Sequence, residues 1–237
     1  WAYIDLVIPS GFQQLTIFDF KGLSSSMEKV MPVDVAMAAK NKIAEYCWGK
    51  SWSDIVKETG NKELARDFLR KNSAMNQRFN DGNHVVIYGD ASNGPIGKTL
   101  VASIIMKEAI KLRMKNSKMS GHTYQWVDYS ILKQALQEDS DDLLSYKSTD
   151  WLVVDNIVRH GFASPQQRAY FSELFNPFFT DRFNKKLPTI LVFRFDIRLP
   201  SINIENILGT GISNIVYSNN TYQIPLSKEP QQGGKHE

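Results

Sequence analysis

The 237-residue sequence predicts an α/β fold in three layers, a mostly parallel sheet with helices on both faces. Three observations predict it. Short continuous apolar runs recur at Val85–Tyr88, Trp151–Val154 and Pro188–Phe193, as strands buried on both faces do. Between them lie stretches whose apolar side chains fall at helical spacing. The first run also passes through a glycine-punctuated loop, Gly89 to Gly97, into Lys98-Thr99 and a helical pattern of Leu100, Val101, Ile104, Ile105 and Ile110.

Taken in order, residues 1–32 read as an extended lead-in. Ile8 to Phe12 is a turn, Leu15 to Phe20 a short strand or ordered strap, and Ser24-Ser25-Ser26 a loop. Asp34 is expected to cap a helix to about Tyr46, with Val35, Ala39, Ile43 and Tyr46 on its apolar face. Two short helices broken at Thr59-Gly60 fill 50–80, with Trp52, Ile55, Leu64 and Phe68 as the buried set. A helix-turn-helix reading a DNA groove is the alternative for this pair. Beyond the helix that follows the glycine loop, Lys115 to Gly121 reads as a polar loop and Thr123 to Val127 as a strand. Ser130 to Gln137 reads as a helix and Glu138 to Asp142 as an acidic, solvated loop. Pro165 to Phe183 is helical with an interruption at Asn176-Pro177, its aromatic residues belonging to the core. Asn214–Tyr217 and Tyr222–Leu226 alternate as edge strands do, and the last ten residues have the composition of a disordered tail. The domain expectation is a lead-in with helices over 1–80, a core over 81–227 and a tail over 228–237, one domain overall.

Bulk properties narrow the class. A net charge of +3 permits a nucleic-acid partner without requiring one. The single cysteine, Cys47, excludes an intrachain disulfide and fits a reducing compartment. No apolar run approaches the roughly 18 residues of a membrane span, and no signal peptide is evident, so the expected location is cytoplasmic, without a membrane partner. The chain starts at Trp1 without an initiator methionine, which reads as a fragment with an upstream domain missing.

Strand, glycine loop, Lys-Thr and helix form the layout of a phosphate-binding loop. Backbone N–H groups at a helix N-terminus suit an anion, through unpaired donors and the helix dipole alike. Gly94, Pro95, Ile96, Gly97, Lys98, Thr99 and Leu100 are the candidate nucleotide-binding residues. Lys98 would reach the terminal phosphates and the Thr99 hydroxyl would hold Mg²⁺. The usual first glycine is replaced by Ser92, and the loop is longer than usual. The alternative is an ordinary glycine-rich turn. Downstream, the run from Trp151 ends in Asp155, placed to bind the same Mg²⁺.

The order of these segments resembles the ATPase domain of the bacterial helicase loaders, the DnaC/DnaI family, with the IstB transposition helpers as cousins. Ile8-Pro9 to Phe20 resembles its lead-in, Gly82 to Ala102 its phosphate loop with three residues inserted, and WLVVDNI at 151–157 its LLVIDDI. Arg182-Phe183 to Asp196 and Leu208 to Ile215 resemble two further segments. The resemblance implies an AAA+ P-loop NTPase fold, ATP/ADP and Mg²⁺ as cofactors, assembly into a ring or filament, contact with single-stranded DNA, and a replicative helicase as partner. It places Lys98, Asp155, Asn156 and Arg194 at the catalytic positions, with Thr99 and Asp155 on the metal. Three departures follow. Asn156 stands where the family has a second acid, and an amide cannot accept a proton from the attacking water. Arg194 stands where a polar sensor residue is usual. Asn214 stands in the place of an arginine finger, whose loss would slow turnover by roughly 10³–10⁵. Arg159, Arg168, Arg182 and Arg198 could substitute, though surface salt bridges are the expected role of each. Lys107, Lys111, Arg113, Lys115 and Lys118 could follow a DNA backbone or form a solvated face. The sequence thus implies a nucleotide-gated assembly factor with slow hydrolysis, with a non-catalytic interaction module or a transposition ATPase as the alternatives.

Overall fold

The computed structural model describes residues 2–18, 33–89, 96–115, 122–158 and 165–227. The Ser24–Ser26 loop, nearly all of the Lys115–Gly121 loop and the 228–237 tail lie outside them.

Five strands form the sheet: β1 (His84–Tyr88), β2 (Tyr124–Asp128), β3 (Trp151–Ile157), β4 (Thr189–Phe193) and β5 (Thr221–Pro225). Their order is β2-β3-β4-β1-β5 and every pairing is parallel. Strand periodicity sorts their side chains between two cores. Val85, Ile87, Val153, Ile190 and Val192 point into one, and Val86, Tyr88, Leu152, Val154 and Leu191 into the other. With both faces covered, the central strands β1, β3 and β4 have no polar side to show, hence their apolar runs.

The first face is covered by α1 (Ala2–Val7), α2 (Val33–Trp48), α3 (Trp52–Thr59), α4 (Lys62–Lys71), α5 (Met75–Asn80) and α6 (Ile96–Lys115). Val35, Ala39, Ile43 and Tyr46 of α2 are all buried, as their spacing predicts. Residues 12–18 form the strap rather than a strand, with Ile17 buried and the Phe18 ring edge-on to Trp52 at 5.2 Å. In the helical pair Trp52 and Ile55 are buried, but Leu64 is 52% exposed and Ala65 takes its place. The Asn61 cap, whose side chain accepts from Leu64 N, sets the rotation of α4 that points Leu64 outward.

The second face carries α7 (Tyr129–Glu138), α8 (Asp141–Ser148), α9 (Pro165–Asn184), α10 (Ile204–Leu208) and α11 (Thr210–Tyr217). Three expectations are corrected here. Asp141 and Asp142 open α8 instead of closing a loop, where negative charge suits a helix N-terminus. Helix α9 runs unbroken through Pro177. Residues 214–217 are helical: α11 packs on α9, and Gly211 brings the two backbones together, its N–H donating to Asn176 Oδ1 at 2.9 Å. A Cβ at Gly211 would stand 2.8 Å from the Asn176 carbonyl oxygen. Tertiary packing thus overrides the strand preference of the Ile-Val pair. Tyr222–Leu226 behaves as expected, as edge strand β5 beside β1. Among the described residues no helix is long and apolar enough to cross a membrane.

Candidate nucleotide-binding site

In a parallel sheet the carboxyl ends of all strands lie on one edge, and the loops there carry the chemistry. Here that edge presents, in spatial order, Asp128 at the end of β2, Asp155 and Asn156 in β3, Arg194 after β4, and Gly89 after β1. Gly89 leaves β1 against the Leu226 backbone, which a Cβ would approach to 3.0 Å, because Leu226 N donates to Tyr88 O at 2.7 Å. That close approach favours glycine at the start of the loop.

Of the candidate loop residues, Gly94 and Pro95 lie outside the described residues. Ile96 and Gly97 form the first turn of α6, one turn earlier than the apolar pattern implies. Lys98 is buried and its ammonium donates to Gly89 O at 3.4 Å, closing the base of the loop. Leu100 is fully buried, so it can offer a ligand only its backbone. Thr99 faces β3, and its hydroxyl donates to Asp155 Oδ2 at 3.1 Å. Burial pushes the Asp155 carboxyl above its usual range, against the pull of the Asn156 N–H and the Thr99 hydroxyl.

Adjacent Asn156 is the unusual residue. Its φ is +62°, and the β3–β4 register slips between Val154 and Ile157, marking a bulge. Asparagine tolerates this left-handed backbone better than most residues. Its amide turns away from Asp155 and donates to Asp128 Oδ2 at 2.7 Å. Asp128 also caps α7, Oδ1 accepting from Ser130 N at 2.8 Å and from Ser130 Oγ at 2.6 Å. Burial pushes the Asp128 carboxyl up, but these hydrogen bonds and the Arg194 charge outweigh it and hold it below the usual range. Arg194 is exposed, its N–H donates to Ile157 O at 2.8 Å, and its guanidinium acts on both Asp128 and Asp155. The fold therefore brings Lys98, Thr99, Asp155, Asn156 and Arg194 to one edge. Sequence reasoning missed Asp128, although it too ends a strand ahead of a helix.

Other candidate residues lie elsewhere. Asn214 is exposed on α11. Arg182 is no surface ion pair: it is fully buried at the opposite edge of the sheet. Its guanidinium donates to the carbonyls of Tyr146, Thr149 and Pro188 at 2.9, 2.8 and 3.0 Å and to the Thr189 hydroxyl at 3.1 Å. Burial pushes it down to about 9, so it stays charged at neutral pH. Arg198 does form an ion pair, with Asp196 at 2.8 Å, and also holds Ser227 and lies over the Tyr88 ring. Lys107 belongs to no solvated face. It is buried and donates to the carbonyls of Phe12, at 2.9 Å, and Leu15, tying the lead-in strap to α6. Lys111 pairs with Glu108. Arg159 and Lys118, and the side chains of Arg113, Lys115 and Arg168, lie outside the described residues.

The donor set fits Mg²⁺. A hydroxyl and a carboxylate, both hard oxygen donors, meet at 3.1 Å, and no group of three or more His, Cys, Asp or Glu surrounds them among the described residues. A protein that supplies one or two oxygens and leaves the rest to phosphates and water suits Mg²⁺ rather than a metal needing a full protein cage.

Sheet order and the β1–loop–α6 unit are those of an α/β P-loop NTPase fold. No protein-family profile and no curated protein matches the chain. Among solved structures, DnaI is similar over 68% of this chain and 81% of its own, at 16% identity and a TM-score of 0.45. A primosome component from Streptococcus pyogenes serotype M3 is similar over 95% and 96%, at 12% identity and a TM-score of 0.48. The replication initiator DnaA, bound to AMPPCP and single-stranded DNA, is similar over 72% of this chain, at 19% identity and a TM-score of 0.42. This chain spans 44% of that DnaA chain.

Proposed function

We propose that the protein is a replication-associated AAA+ factor. It binds Mg²⁺-ATP at the β1–α6 loop, assembles with further copies of itself, and delivers a replicative helicase to single-stranded DNA with slow turnover. The observation that carries the reading is the pair of contacts beneath the loop, Lys98 on Gly89 O and Thr99 on Asp155. An ordinary glycine turn needs neither a buried lysine nor a hydroxyl aimed at a buried carboxylate. In this reading Lys98 holds the terminal phosphates, and Thr99 and Asp155 orient the metal, which supplies charge neutralisation there. Slow turnover follows from Asn156 beside Asp155 and Asn214 in place of a finger.

Titration with a fluorescent ATP analogue, with and without Mg²⁺, tests the reading. Charge-assisted hydrogen bonds contribute about 1.5–3 kcal/mol, so Lys98→Ala should weaken binding by about 10- to 100-fold. Sedimentation with ATP should show assembly, and anisotropy should show tighter binding to a single-stranded oligonucleotide. Wild-type protein that neither retains nucleotide nor changes in assembly or DNA affinity refutes it. Asn156 and Asn214 favour a second reading, a module that keeps nucleotide as structural support without hydrolysing it. That reading expects Lys98→Ala to leave assembly and DNA affinity unchanged.

A further inference from the structure

We propose that Asp128 is the carboxylate that positions and deprotonates the attacking water, in place of the acid absent at position 156; this rests on the nucleotide-binding reading above. Asp128 and Asp155 are directly paired across β2 and β3, so the two carboxylates stand one strand spacing apart on the same edge. Base-assisted hydrolysis needs a carboxylate near the metal site that does not itself ligate the metal, and Asp155 is committed to Thr99 and the metal position. Asn156 cannot accept the proton, yet it is placed to orient a residue that can. Its amide, carried on a backbone at φ +62°, donates to Asp128 Oδ2 at 2.7 Å. Both Ser130 donors occupy the other oxygen, Oδ1. A carboxylate oxygen has two lone-pair sites, so Oδ2 retains one for a water, and Asp128 is only half-buried. Arg194, whose charge acts on Asp128 and Asp155 together, lies on the other side of β3. The charge order across the edge is therefore Asp128, the neutral amide, Asp155, then Arg194. That leaves one carboxylate, tethered and solvent-accessible, unused by the metal.

The step balances without any further reactant. The water oxygen bonds to the γ-phosphorus, and the bond from phosphorus to the β,γ-bridging oxygen breaks. Its electron pair leaves on ADP. One water proton passes to Asp128 Oδ2, the other stays on inorganic phosphate, and Asp128 returns its proton to solvent.

A purely structural role is the competing account, because Asp128 caps α7. Asp128→Asn separates the two, since asparagine caps as well as aspartate but carries no charge. Asparagine at 128 with aspartate at 156 restores the acid beside Asp155, on a backbone that aspartate also tolerates. Each protein is loaded with ATP in a single-turnover excess of protein, and the retained nucleotide is separated and identified as ATP or ADP over time. Binding of a fluorescent ATP analogue and the urea midpoint are measured alongside. Wild type should convert its bound ATP. Asp128→Asn should do so at least about 100-fold more slowly, the scale of a general base, with affinity within threefold and an unchanged midpoint. The double swap should recover at least tenfold of that loss. Conversion by Asp128→Asn within threefold of wild type, wild type that holds ATP without converting it, or a swap no faster than Asp128→Asn overturns the proposal while nucleotide binding stands. Wild type that retains no nucleotide overturns both.

Discussion

The buried histidine at the foot of β1 makes stability depend on pH in a calculable way. His84 is 1% exposed, its Nδ1 accepts from Thr189 N at 3.2 Å, and its ring stacks on Phe183. Burial, with the Arg182 charge, pushes its pKa from 6.5 down to about 4. The folded state therefore binds its proton later than the unfolded state as pH falls. The stability contributed by neutral His84 is complete above about 6.5 and is lost between there and about 4. Integrating the two titrations gives a loss of about 2 kcal/mol between pH 7.5 and 5.0, approaching about 3 kcal/mol below pH 4. His84→Asn supplies the control, because the asparagine amide oxygen can take the place of Nδ1 without titrating. Urea unfolding at both pH values reads the result as a difference of differences. Wild type should lose about 2 kcal/mol more than the variant on going to pH 5.0. Equal losses in the two proteins would refute the argument, and would mean that His84 takes up its proton in the folded protein as readily as in the unfolded chain.

Two further substitutions test the packing. Arg182→Met leaves the Tyr146 and Thr149 carbonyls and the Thr189 hydroxyl without their guanidinium donors. It should cost about 2–5 kcal/mol, seen as a lower urea midpoint at constant slope; a change below 0.5 kcal/mol would contradict the hydrogen-bonded geometry. Gly211→Ala gains helix propensity but drives a methyl into the Asn176 carbonyl at 2.8 Å. It should lower stability by about 1–3 kcal/mol, whereas a stabilised variant would show that α9 and α11 can move apart.

What could be read from the chain was what is local. Strands covered on both faces announce themselves as apolar runs, and a phosphate loop is a contiguous pattern, so β1, β3, β4 and Lys98-Thr99 were legible without tertiary information. The failures share one cause. Ile215-Val216 has the composition of a strand, and only the close approach allowed by Gly211 makes it helical. Lys107 and Arg182 look like surface cations because their partners are backbone carbonyls, which leave no trace in the residue pattern. Asp128 did carry a weaker signal, a strand-like stretch ending in an acid as at Asp155 but interrupted by Gln125. What the sequence could not supply was the sheet order that makes these two strand ends neighbours.

The bulge in β3 ties these observations together. Strand alternation sends Val153 and Asp155 toward α6 and Val154 toward α7 and α9. Continued without interruption, it would send Ile157 toward α6. Instead Ile157 joins Val154 in the second core, because the inserted residue, Asn156, absorbs the slip at φ +62°. The strand can thus present a carboxylate to Thr99, an amide to Asp128 and an apolar anchor to the second core within three consecutive residues. Asparagine meets two demands at that point: it tolerates the left-handed backbone and it donates to a carboxylate. A second acid at 156 would tolerate the backbone equally well but would repel Asp128 across 2.7 Å. The acid on β2 and the amide on β3 therefore work as a matched pair, and the departure at 156 has to be judged together with the residue it touches.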